Sequence, residues 1–193
     1  MDVVGHWKLL LDEQRDAQRR LSKIVRDTKP ARAAEAAGNL ISIPTGDRMA
    51  LVFFHSLEAP VQCALEIARG LKKEPNMQLR MEIHRGSVHQ VRDVNDRPNV
   101  AGAGINTAQR VTDCGNPGHI LLSKRVALDL AQSRRWRGHL HELGECPVKH
   151  GVPLSVVNFY SHQIGNPHVP TKIRLAQAKQ ARAKRLPTTC RFV

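Results

Sequence analysis

The chain is poor in aromatic side chains, 4 % of its 193 residues, and has no apolar run near the ~18 residues that a membrane-spanning helix requires. Met1-Asp2 does not open a secretory signal. Cys63, Cys114, Cys146 and Cys190 share no CxxC or zinc-type spacing, so the expectation is buried, reduced thiols in a cytoplasmic protein rather than a disulfide framework. Ten histidines likewise show no close ligand spacing, which argues against zinc. Acid is missing altogether beyond Glu145, while residues 171–193 carry Lys172, Arg174, Lys179, Arg182, Lys184, Arg185 and Arg191. About half of the net charge of +13 therefore sits in the last stretch, and the rest of the chain is modestly basic. Such a field suits a polyphosphate substrate, a nucleic acid or an anionic membrane equally.

What is present is a mixture of helical and strand periodicities. Trp7–Thr28 reads as an amphipathic helix with Leu10, Ala17, Leu21, Ile24 and Val25 apolar, stopped by Lys29-Pro30. A short helical piece follows at 31–37. Leu40–Ile43 and Met49–Phe54 flank Pro44-Thr45-Gly46-Asp47, a hairpin with a carboxylate at its tip. Leu57–Lys73 reads as a second amphipathic helix, and Leu79–His84 and Val88–Arg92 as strands joined near Gly86. Residues 93–98 read as a polar loop and Gly102–Cys114 as a helix entered through glycines. Then come a strand (His119–Ser123), a helix (Lys124–Gln132) and two late strands (Trp136–Leu143, Leu154–Tyr160). Hairpins among interleaved helices favour an α+β fold, a mixed sheet with helices on one face and a ferredoxin-like βαββαβ core carrying extra C-terminal αβ elements. Residues 1–162 are expected to form the folded domain and 163–193 a mobile basic tail.

The candidate chemistry lies in four places. Asp2, in Asp2-Val3-Val4-Gly5, precedes the first helical segment, and Asp47 follows Gly46. A lone aspartate after Thr-Gly is ordinary turn chemistry, but two aspartates together can hold a pair of Mg²⁺ ions about 3.5–4 Å apart. Gly5 lets backbone approach a ligand, and helix amides just beyond it would face phosphates. Asn106 and Arg110, four residues apart in Gly102-Ala103-Gly104-Ile105-Asn106-Thr107-Ala108-Gln109-Arg110, project from one helix face. Such a pair supplies directed hydrogen bonds and a permanent charge for a phosphoryl transition state.

These elements, with Ile83-His84-Arg85-Gly86, resemble the class III adenylate/guanylate cyclase catalytic domain over roughly residues 2–160. The resemblance implies that Asp2 and Asp47 bind two Mg²⁺ or Mn²⁺ ions, and that Val3, Val4, Gly5 and His6 lie along the triphosphate of ATP or GTP. It implies that Asn106 orients the ribose, Arg110 stabilises the α-phosphate during attack by the 3′-hydroxyl, and Lys149 binds phosphate. His84 would be structural. A homodimer with shared active sites is implied too, metals from one protomer and Asn106/Arg110 from the other.

The departures are specific. Ile43 stands four residues before Asp47, where the family carries a purine-selecting Lys or Glu, and its partner position is Asn99. Glu82 replaces a Gly, His6-Trp7 replace an aromatic and a Ser or Thr, and Arg48 adds bulk after the metal Asp. The family's first strand lies ahead of the Asp-x-x-Gly element, and Met1 leaves almost none of it. The expectation is therefore either a late recorded start or a decayed relative. The leading reading is a cyclase making cyclic nucleotide, cAMP ahead of cGMP, and pyrophosphate. A cyclase-like module that binds nucleotide or dimerises without turnover is the alternative, and a nucleic-acid binder through the basic tail ranks third, since only Phe192 could stack there.

Overall fold

The computed structural model describes residues 1–148 and 152–185. Its strands are β1 (Asp2–Val3), β2 (Leu40–Thr45), β3 (Arg48–Phe53), β4 (Leu79–Ile83), β5 (His89–Arg92), β6 (Pro98–Ala101), β7 (Ile120–Ser123), β8 (Leu140–Cys146) and β9 (Leu154–Phe159). Its helices are α1 (Leu11–Asp27), α2 (Lys29–Ala36), α3 (Glu58–Leu71), α4 (Ala103–Thr112), α5 (Lys124–Leu130), α6 (Arg134–Arg137) and α7 (Thr171–Arg185). Seven strands form one mixed sheet in the order β2-β3-β1-β4-β7-β9-β8, with β4 and β7 parallel and the other neighbours antiparallel. The α+β class is as expected.

Alternation along the strands divides the core in two. Leu79, Met81 and Ile83 of β4 and Ile120 and Leu122 of β7 pack with Leu21, Val25, Val61 and Ile67 from the α1–α3 layer. Leu121 of β7 points the other way, joining Val111, Leu143, Val156 and Ile173 in a smaller cluster under α4 and α7. Helices thus cover both faces, not one, because α4 and α7 each bury a short apolar stripe on the second face.

Local chemistry explains the helix joints. Pro30 does not simply stop α1; Thr28 accepts a hydrogen bond from the Ala31 amide and starts α2, with Pro30 in the first turn where no amide donor is needed. The strand expected after Gly86 is present but does not pair with β4. It pairs with β6, and residues 93–97 are the turn between them, with Asp93 Oδ1 accepting from the Asn95 and Arg97 amides. Residues 134–137 form a helical turn rather than the start of a strand, and Trp136 is buried against Phe159 with its indole donating to Glu58.

Two expectations fall. Cys114 and Cys146, both fully buried, are joined in a disulfide that ties the end of α4 to the end of β8. Reduced thiols therefore no longer argue for a cytoplasmic setting; Cys63 is buried and free. The stretch from 163 to 185 is also not a loose tail: Ile164 and Ile173 are buried and α7 lies along β8. His119, 1 % exposed, holds the approach to α7 by bonding the His168 carbonyl through Nε2 at 2.8 Å. Among the described residues no helix is long and apolar enough to cross a membrane.

Candidate active site

The hairpin pairs the segment that carries Asp47 with the segment that carries Asp2. Gly46, at φ +57°, makes the turn, and the Asp47 carbonyl accepts the Val3 amide at 2.9 Å, while Asp2 pairs with Arg48 across the sheet. Their environments differ. Asp47 is about two-fifths exposed, with Arg48 Nε 3.9 Å from its carboxylate. Asp2 is buried, and both of its oxygens accept hydrogen bonds from Arg80 of β4, which lies opposite it in register. Those bonds hold the Arg80 guanidinium above its ordinary pKa, with the nearby Asp2, Asp113 and Asp47 charges adding to the effect.

Two carboxylates of this kind suit Mg²⁺, a hard cation usually held by one or two carboxylates plus substrate phosphates. No group of three or more metal-ligating side chains exists among the described residues. The remaining coordination would fall to substrate and water, and Arg80 would have to share Asp2.

The phosphate-binding segment differs from expectation. The first helix does not begin beyond Gly5; a 3-10 turn spans His6–Lys8 and α1 starts only at Leu11. The Leu10 amide is taken by the Glu13 carboxylate, so the start of α1 is not an open anion site. The Val3 and Val4 amides are also spent, on Asp47 and Gln78. Gly5 adopts φ +74° with nothing near its missing side chain, and His6 is buried with Nε2 unpartnered. Lys149 lies outside the described residues.

Ile43 and Asn99, far apart in sequence, line one cavity of about 870 Å³. Glu82, His84 and Gln109 are among the other residues that line it. Glu82 Oε2, His84 Nδ1 and Gln109 Nε2 are buried there without hydrogen-bond partners among the described residues. Burial pushes the Glu82 carboxyl up, while burial and then Arg125 pull His84 down from its ordinary value. Gln109 and Arg80 had not been singled out from sequence. The signal for Arg80 was the alternation in β4, where Arg80, Glu82 and His84 share one face and Leu79, Met81 and Ile83 the other.

Asn106 and Arg110 belong to neither cluster within one chain. Ile105, Ala108 and Gln109 turn towards the cavity; Asn106 is exposed, and Arg110 Nη2 donates to the Val152 carbonyl at 3.4 Å. The helix bearing them is seated by a close backbone approach. A Cβ on Gly104 would stand 2.9 Å from the Ser87 carbonyl, and one on Gly86 2.8 Å from the Gly104 Cα. The glycines admit this contact and let the Gly104 amide bond Ser87 at 3.1 Å.

Comparison with solved structures follows this geometry. An adenylate/guanylate cyclase/hydrolase from Silicibacter pomeroyi is 24 % identical, with a TM-score of 0.61 over 83 % of this chain and 92 % of that one. The adenylyl cyclase CyaB from P. aeruginosa is 15 % identical, TM-score 0.58, over 85 % and 93 %. The guanylate cyclase domain of RhGC from Catenaria anguillulae, solved with GTP, is 16 % identical, TM-score 0.58, over 83 % and 92 %. No sequence-family model and no curated protein matches the chain. At these identities the likeness speaks for architecture, and the architecture is that of the class III adenylate/guanylate cyclase catalytic domain.

Proposed function

We propose that the chain is a nucleotidyl cyclase that converts a nucleoside triphosphate, ATP ahead of GTP, to a cyclic nucleotide and pyrophosphate. The observation that supports this reading is the backbone bond between Val3 and Asp47, which joins the segment carrying Asp2 to the hairpin carrying Asp47 in a cyclase-type sheet. In the reaction the 3′-oxygen forms a bond to the α-phosphorus, the bond from that phosphorus to the β-bridging oxygen breaks, and the hydroxyl proton leaves to solvent. Arg110 offsets charge developing on the α-phosphoryl group, and Asn106 holds the ribose. Ile43 and Asn99 border the base, and Lys149 and the Val3–His6 segment border the phosphates. Two Mg²⁺ or Mn²⁺ ions on Asp2 and Asp47 would supply Lewis-acid charge stabilisation. Asn106 is exposed and Arg110 bonds the Val152 carbonyl rather than an aspartate, which supports a homodimer whose sites are completed across the interface. The reading places the chain in an intracellular setting where the triphosphate is abundant.

A second reading, a module that binds nucleotide without turnover, is favoured by the short β1 and by the grip of Arg80 on Asp2. Incubating the purified protein with ATP or GTP and Mg²⁺ or Mn²⁺, with chromatography of products, separates the two. Cyclic nucleotide supports the cyclase; saturable nucleotide binding without product supports the module.

A further inference from the structure

The cations of α1 divide by their partners. Arg20 and Lys23 have carboxylates beside them, Glu74 at 3.4 Å and Asp27 at 2.7 Å. Arg19 reaches only Asp16, at 3.8 Å and with both side chains exposed, and Arg15 and Arg26 have no ion pair among the described residues. Arg15, Arg19 and Arg26 line one pocket of about 560 Å³ between α1 and the β2–β3 hairpin. Arg48 enters it from β3, and Asp47 is its one acidic lining residue among those described. Arg48 stands 3.9 Å from Asp47 and 3.9 Å from Asp113, beyond hydrogen-bond distance of either. The two walls are pinned together where Gln18 Nε2 donates to the Gly46 carbonyl at 2.7 Å. The floor is Val3, Leu21 and Met49 of the main core, so the pocket opens on the α1 side of the sheet, away from Arg80, Glu82 and His84.

Four guanidiniums against one carboxylate leave this pocket positive, and a concave wall of one sign focuses its field on what enters. Along the helix Arg15 and Arg19 stand about 6 Å apart and Arg26 about 10 Å further on, with Arg48 on the opposite wall. Each guanidinium fork can take two phosphate oxygens, so a single monoanion would leave most of the donors unused. We propose that the pocket is a binding site for an oligophosphate, two or more phosphate groups in close succession, either free or carried on a phosphorylated lipid headgroup. The arginines that form it have no part in the proposed cyclase reaction; only Val3 and Asp47 belong to both places. Arg48, one of the departures from the family pattern, has its use here. The assignment does not depend on catalysis.

Calorimetric titration with inorganic tripolyphosphate tests this, in EDTA so that no metal bridges the anion to Asp2 and Asp47. Saturable binding is expected, at least tenfold tighter than that of inorganic phosphate. Arg15→Gln with Arg26→Gln should weaken it at least tenfold, and Arg48→Gln, from the other wall, several-fold. Gln keeps helix propensity, so α1 should survive the change. Arg20→Gln with Lys23→Gln removes the same charge from the same helix outside the pocket, and should leave binding within about twofold. Equal weakening by the two double variants would mean attraction to the net charge alone, and overturns the proposal. Loss of binding in Arg110→Ala would put the anion in the nucleotide site, and overturns it too. Vesicles of phosphatidylcholine with phosphatidylinositol bisphosphate, against phosphatidylserine at equal charge, identify the source. Selective capture on the former that Arg15→Gln with Arg26→Gln abolishes assigns a lipid headgroup. Tripolyphosphate binding without vesicle capture assigns a free oligophosphate, and neither kind of binding overturns the proposal.

Discussion

Arg80 grips Asp2 with two hydrogen bonds, Nε to Oδ1 at 2.9 Å and Nη2 to Oδ2, and the carboxylate so held is only 1 % exposed. A buried charge stripped of its partner is among the costliest single changes in a protein. Arg80→Leu is expected to lower unfolding stability by about 3 kcal/mol, with Arg80 partly exposed and Asp2 not. Adding Asp2→Asn should recover part of that loss. Urea titrations of the parent and the two variants check this, and an Arg80→Leu protein as stable as the parent would show that Asp2 finds another donor.

Complementation tests the division of the site between protomers. Asp47→Ala and Arg110→Ala should each abolish cyclic nucleotide formation alone. Mixed and allowed to exchange, they should regain part of it, since one interface of each mixed dimer keeps both residues intact. Mixed dimers shown by mass spectrometry but inactive would place Asp47 and Arg110 in the same half-site.

Base preference should be shallow. Ile43 has no group to pair with a purine edge, and Asn99, whose Oδ1 accepts its neighbour's amide at Val100, leaves its amide nitrogen for the base. A missing discriminating hydrogen bond forfeits about 1–3 kcal/mol, roughly ten- to a hundredfold in kcat/KM. Ile43→Lys with Asn99→Asp should raise the ATP-to-GTP ratio by that order. An unmodified ratio of several thousand would mean that another residue reads the base.

Glu82 gives the molecule a pH signature. Its carboxyl is raised from 4.5 chiefly by burial, so the folded state keeps a proton that the unfolded state has released. That contribution is present in acid and is lost as pH rises from 4.5 through the raised value. Glu82→Gln cannot ionise, and should gain stability relative to the parent between pH 4.5 and 7. Urea midpoints at those two pH values decide it; parallel behaviour of the two proteins would mean that Glu82 is solvated.

Much of this architecture was written in local pattern. The β2–β3 hairpin followed from Gly46-Asp47 between apolar runs, and α3 from its 3.6-residue stripe, each placed within about two residues of where it lies. β6 was hidden because Pro98 opens it; proline at the first position of a short two-stranded sheet is tolerated, though it reads as a loop. The segment at 134–137 misled because Trp136 has strand propensity, while its burial against Phe159 is a tertiary fact. The site divides the same way. That Ile43 and Asn99 line one cavity followed from the resemblance, whereas the grip of Arg80 and the place of Gln109 in the cavity depend on strand register and helix seating, which no local pattern encodes.

The bond between Cys114 and Cys146 closes a covalent ring around β7, α5 and α6, with the last turn of α4 at one end and the end of β8 at the other. Local opening of β8 or α4 alone cannot carry either away from the central strand while the ring is closed. The edge of the sheet and the helix bearing Arg110 therefore share one cooperative unit in an oxidising environment. With the ring opened by a thiol reductant, the two can fray separately, and α4 depends for its position on its glycine-lined seat against Ser87.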